Sequence, residues 1–87
     1  MPEAASRRDL TNRDRELLRA VASGRVELSC GSAPDFFVDG VAWCDQFGAR
    51  RLVRDGLICQ HRVGRFGERV RARLTTEGAR HAERGPA

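Results

Sequence analysis

Eighty-seven residues are enough for one small domain with a modest core, and leave little chain for a deep catalytic cleft with its own lid. All 16 basic residues are arginine against 12 acids, for a net charge of +4, and no apolar run approaches the roughly 20 residues that span a bilayer, which excludes a helical membrane protein. The charge is uneven: residues 1–58 hold nine arginines and nine acids, whereas 59–87 hold seven arginines and three acids, so the positive field belongs to the C-terminal third.

Residues 1–8, MPEAASRR, lack apolar periodicity and read as a flexible lead-in with Arg7 and Arg8 as a basic arm. A helix is predicted over 12–23. Thr11 can cap its free N–H groups, Asp14 and Glu16 suit the positive end of the dipole, Leu17, Leu18 and Val21 form the apolar stripe, and Gly24 stops it. From Arg25 the period changes to two. Val26, Leu28 and Cys30 alternate with Glu27 and Ser29 as a strand, residues 31–34 turn, and Phe36, Phe37 and Val38 return as the second strand of a hairpin.

Asp39 resembles a cap, and 41–55 reads as the second long helix, ending at Gly56. At 100° per residue, Val41, Cys44, Gly48, Ala49, Leu52 and Val53 share an apolar arc, while Trp43, Phe47, Arg50 and Arg54 cluster opposite. A strand over 57–63, a glycine-bounded turn over 64–67 and a returning strand over 68–74 make a basic hairpin. In the returning strand Arg69, Arg71 and Arg73 line one face and Val70, Ala72 and Leu74 the other. Thr75 or Thr76 caps a last helix to about Glu83, and 85–87 is a tail, so one domain covers 9–84.

Within the basic hairpin, Arg62, Arg65, Arg69, Arg71 and Arg73 are opposed by Glu68 alone. Exposed strands often carry charge, and edge arginines discourage sheet aggregation, but five like charges in so small an element repel unless a polyanion neutralises them. Trp43 and Phe47 fit either the core or a partner interface. Cys30, Cys44, Cys59 and His61 lack the paired spacing of a zinc site, so buried thiols in a reducing cytoplasm are expected, with no metal and no cofactor. Neither His61 nor His81 has a sequence-obvious nucleophile and carboxylate beside it, and the chain does not read as an enzyme.

The order helix, strand, helix ending in Arg54-Asp55-Gly56-Leu57-Ile58, basic hairpin, then Leu74-Thr75-Thr76-Glu77-Gly78 and a short helix is similar to winged helix-turn-helix DNA-binding domains of bacteria, actinobacteria and their phages. Gly56, Leu57, Ile58, Leu74, Thr75 and Gly78 carry the resemblance, which covers about residues 10–83. It implies an α+β fold: a small winged-helix-like domain with two main helices, an N-terminal hairpin, a basic wing hairpin and a short C-terminal helix. It further implies a cytoplasmic transcriptional regulator or phage-type accessory factor. Arg62, Arg65, Arg69, Arg71 and Arg73 would contact the phosphates or minor groove of double-stranded DNA, and Gln46, Arg50, Arg51 and Arg54 the major groove. This chain departs from the family between the first strand and the recognition helix, where Gly31, Pro34, the Phe-Phe-Val run and Gly40 favour a hairpin over a second helix. The alternative is a protein-interaction module, inhibitor or homodimer that docks through Trp43, Phe47 and Arg50.

Overall fold

Helix α1 (Asn12–Ala22) starts on a reciprocal capping box: Thr11 Oγ1 accepts from the Asp14 N–H and Asp14 Oδ2 accepts from the Thr11 N–H, both at 3.0 Å. In this computed structural model residues 10–84 are described; the lead-in expected for 1–8 and the tail at 85–87 lie outside them. Leu17, Leu18, Ala20 and Val21 are buried, and Gly24, at φ 77°, releases the chain into the sheet.

Strand β1 (Val26–Ser29) pairs antiparallel with β2 (Phe36–Val38), Val26 opposite Val38 and Leu28 opposite Phe36. No helix occurs within 31–39. The next segment corrects the expected 41–55 helix. Asp39 and Gly40 take φ values of 54° and 83°, the two positive values that a type I′ hairpin turn requires, and Asp-Gly is its favoured sequence. The chain therefore folds back as β3 (Val41–Ala42), with Val41 opposite Val38. Asp39 caps nothing helical. The helix, α2 (Gln46–Arg54), begins later, with Asp45 as its cap accepting from the Gly48 N–H at 3.0 Å. Of the predicted apolar arc only Ala49 and Leu52 are buried, with Val53 partly so; Val41 and Cys44 precede the helix and are exposed.

Strand β4 (Ile58–Gln60) is shorter than expected and β5 (Arg69–Leu74) closes the sheet before α3 (Thr76–Arg84). The order is β3-β2-β1-β5-β4, antiparallel throughout, so the described residues form an α+β domain with three helices and a five-stranded sheet. Val26, Leu28, Phe36, Ile58, Val70 and Ala72 turn one face of that sheet into a core shared with Leu17, Leu18 and Leu52. α1 packs on β1 and β5, and α2 and α3 pack on α1. Because partners in an antiparallel register share a face, Phe37, Glu27, Ser29, Arg69, Arg71, Arg73 and Cys59 all lie on the other side.

The start of α3 is stitched to the end of α2. Thr75 N–H donates to the Leu57 carbonyl at 3.1 Å, Thr75 Oγ1 donates to the Gly56 carbonyl at 2.6 Å and accepts from the Gly78 N–H at 3.0 Å. Gly78 lies so close to the Leu57 carbonyl oxygen that a Cβ there would overlap it. The Gly-Leu-Ile and Leu-Thr-x-x-Gly segments singled out in the sequence thus meet as one joint.

Candidate nucleic-acid interface

The arginines of β5 stand on an interior strand, between β1 and β4, and not on an edge. Each half of that strand is paired, Arg69–Arg71 with β1 and Ala72–Leu74 with β4, so the arginines do not stand on an outer rim of the sheet. They project from the face opposite the helices. Glu27 lies opposite Arg71, with Phe37 on its other flank; Ser29 lies opposite Arg69 and Cys59 opposite Arg73. Arg69 spreads its guanidinium over the Phe37 ring, 3.7 Å from the centroid, and approaches Glu27 Oε1 at 3.8 Å. Among the described residues Arg71 and Arg73 have no ion-pair partner, and neither has Arg65.

The wing, residues 61–68, is a braced loop. Glu68 Oε2 accepts from Arg62 Nη2 at 2.7 Å, and Oε1 accepts from the Arg65 N–H at 2.8 Å. The Glu68 N–H returns a bond to the Arg65 carbonyl at 2.9 Å, closing a tight turn whose third residue, Gly67, has φ 82°. Cys30 extends the ladder from β1: its carbonyl accepts from the Gly67 N–H and its N–H donates to the Glu68 carbonyl, both at 2.8 Å. The Arg62 guanidinium, with the Arg65 N–H second, holds the Glu68 carboxyl below its ordinary pKa, and the same hydrogen bond raises Arg62. A carboxyl depressed in the folded state gives its full support above its unfolded pKa and loses it as pH falls through the folded value. Hydrogen exchange should accordingly show the Arg65 amide protected near neutrality and released in acid, below the ordinary carboxylate range. In Glu68→Gln, which keeps an acceptor but no charge, that acid release should vanish.

Sequence reasoning named Arg65 at the wing tip and passed over its neighbours. Val63 and Phe66 are 89% and 90% exposed. Their signal was a large apolar residue inside the glycine-bounded turn and another just before it, where polar residues are the norm.

On the helix the expected contacts are largely engaged elsewhere. Gln46 accepts from the Phe36 N–H through Oε1 at 2.7 Å, and its Nε2 donates to the carbonyls of Phe36 and Trp43 at 2.9 and 2.8 Å. Its amide acts as a further rung beside β2, so the side chain expected at a base edge is bonded within the protein. Arg50 donates through Nε to the Pro34 carbonyl at 2.8 Å and through Nη2 to Asp35 Oδ1 at 2.7 Å, so it braces the 31–35 turn. Arg51 reaches within 4.0 Å of the buried Asp14 carboxylate, and Arg54 is exposed without an ion-pair partner among the described residues.

Trp43 lies in the loop before α2, partly buried against the core, so it does not share a helical face with Phe47. Phe47, on the first turn of α2, is 73% exposed, and Val41 on β3 is 68% exposed. Of the thiols only Cys30 is buried; Cys59 is half-buried and Cys44 is exposed, contrary to its expected place in the core. Among the described residues no group of three His, Cys, Asp or Glu side chains is arranged to hold a metal ion. His61 is exposed, while His81 lies 3.8 Å from Glu77 on α3. No helix among the described residues is long and apolar enough to cross a membrane. No family model, curated protein or solved structure matches the chain.

Proposed function

We propose that this chain is a winged-helix-like DNA-binding protein, a regulator or phage-type accessory factor working in a reducing cytoplasm, that holds double-stranded DNA on the arginine face of β5 and on the wing. The observation that carries this reading is the row Arg69, Arg71 and Arg73, exposed on an interior strand with Glu27 as the acid beside it. Alternate strand residues stand about 6.6 Å apart, so the row is a linear cationic track of about 13 Å. Phosphates are the ligand such a track suits, and guanidinium groups bind them in two-pronged fashion. The succession α1, β1, α2, β4, β5 and the joint between Gly56-Leu57 and Thr75-Gly78 support the winged-helix comparison.

With Gln46 and Arg50 bonded within the protein, α2 offers the groove only Arg51 and Arg54. Specificity over random DNA should therefore be modest, the contacts being mostly to phosphate. Titration of a random-sequence duplex tests the reading. With Arg54, Arg65, Arg71 and Arg73 on phosphates, raising salt from roughly 50 to 200 mM should weaken binding on the order of 100-fold. Absent or salt-insensitive binding would sink it.

A second reading draws on Phe47 and Val41, whose exposure fits a protein surface docked against them. Since Arg50 is bonded to the 31–35 turn and Trp43 leans on the core, that surface narrows to these two residues. Phe47→Ser should then abolish self-association or partner capture in sedimentation and leave duplex binding untouched.

A further inference from the structure

We infer that Phe66, with Val63 three positions before it on the same loop, is an apolar wedge that enters the minor groove of duplex DNA and parts a base step, so that the protein bends the DNA it holds. The inference rests on the DNA-binding reading and adds to it a mode of action that the arginines alone would not give.

Single exposed apolar side chains are ordinary on protein surfaces. Two large ones almost fully in water, three positions apart on one loop, are not, and this loop's hydrogen bonds hold its backbone in place beneath them. Glu68 clamps it to Arg62 and to the Arg65 N–H, and Cys30 pins Gly67 and Glu68 to the end of β1. The base of the loop is packed as closely: a Cβ on Gly64 would come within 2.7 Å of Cys30 Sγ. Phe66 is the second residue of the Arg65–Glu68 turn. One ring edge rests over Gly31, where a Cβ would stand 3.1 Å from Cε1, and the rest of the ring faces solvent. The wing is therefore a hydrogen-bonded mount that presents an aromatic ring at its tip.

The surroundings of that ring select its partner. Arg65 precedes it in the turn, Arg69 follows Glu68 at the start of β5, and the row Arg69, Arg71, Arg73 leads back from the tip along that strand. Cations on either side of an apolar wedge are the arrangement with which minor-groove proteins neutralise phosphates while a Phe or Leu unstacks the bases between them. The minor groove, about 6 Å wide, admits a loop tip where it would refuse a helix. An anionic membrane also attracts arginine, but two side chains on one turn bury too little apolar surface to hold a protein there, and a straight cationic track matches a rod better than a plane.

A 2-aminopurine duplex and an end-labelled duplex for energy transfer, both of random flanking sequence, test this with the whole chain at low salt. On binding, the wild-type protein should raise 2-aminopurine emission several-fold at a subset of steps and bring the duplex ends closer. Phe66→Ala should lose both signals, keep an unchanged salt slope because the arginines remain, and weaken binding by no more than about 10-fold. Its circular-dichroism spectrum should match wild type, since the ring lies outside the core. Wild-type binding without unstacking or bending, or a Phe66→Ala variant that still bends DNA, overturns the wedge and leaves the DNA-binding reading standing. No duplex binding by wild type overturns both. If wild type but not Phe66→Ala binds phosphatidylserine vesicles while the duplex signals are absent, the loop is a lipid contact and the wedge is excluded.

Discussion

Gly78→Ala should lower the melting temperature by roughly 15 °C, a loss of about 3 kcal/mol in a domain of this size. Gly78 is helical and needs no special φ; what it supplies is room. A methyl group there would overlap the Leu57 carbonyl, a backbone atom that cannot rotate aside. That carbonyl is also fixed by the Thr75 N–H, and Gly56 beside it by Thr75 Oγ1. Relief requires α3 to slide off the joint, which strains packing by about 1–3 kcal/mol and puts two hydrogen bonds at risk at about 1 kcal/mol each. The better helix propensity of alanine returns only about 1 kcal/mol. A melting temperature within a few degrees of wild type would show that the joint is loose.

The second large effect should come from replacing Arg69, Arg71 and Arg73 together by glutamine. Val70 and Ala72 face the core from the same strand, so the circular-dichroism spectrum should be unchanged. Duplex affinity at low salt should drop on the order of 100-fold, and the slope of log affinity against log salt should become shallower by about 2 to 3, near 0.9 for each phosphate released. The figure is nearer 2 if Arg69 keeps its place over Phe37 and beside Glu27 when DNA binds. An unaltered slope would remove β5 from the interface.

What could be read from the sequence was what the chain settles over short range. The Thr11 cap, the two-residue alternation of β1 and β5, and the hairpin of β1 with β2 each follow from neighbours a few positions apart. Asp39-Gly40 was ambiguous for the same reason. An aspartate before a breaker-poor stretch suits a helix cap and a type I′ turn alike, and only the pairing of Val41 with Val38 and the Trp43 N–H to Phe36 carbonyl bond decide for the turn. The bonds of Gln46 are not legible in the sequence because its partners are backbone atoms of Phe36, ten residues back, which leave no side-chain pattern to detect. The alternation of arginines did give the exposed face of β5. It could not give the strand's interior position, since sheet order is set by pairings between strands far apart in the chain, such as Leu28 with Val70.

That interior position has a consequence for how copies of the protein tolerate one another. The longest strand among the described residues, with six residues, is flanked by β1 along Arg69–Arg71 and by β4 along Ala72–Leu74. The outer rims are β3, two residues long, and β4, three residues long, too short to template a ladder with a neighbouring molecule. Molecules crowded along one polymer would therefore meet rim to rim without fusing their sheets, and a protein with an open, half-uncovered sheet could coat a surface densely and still come away from it as single chains.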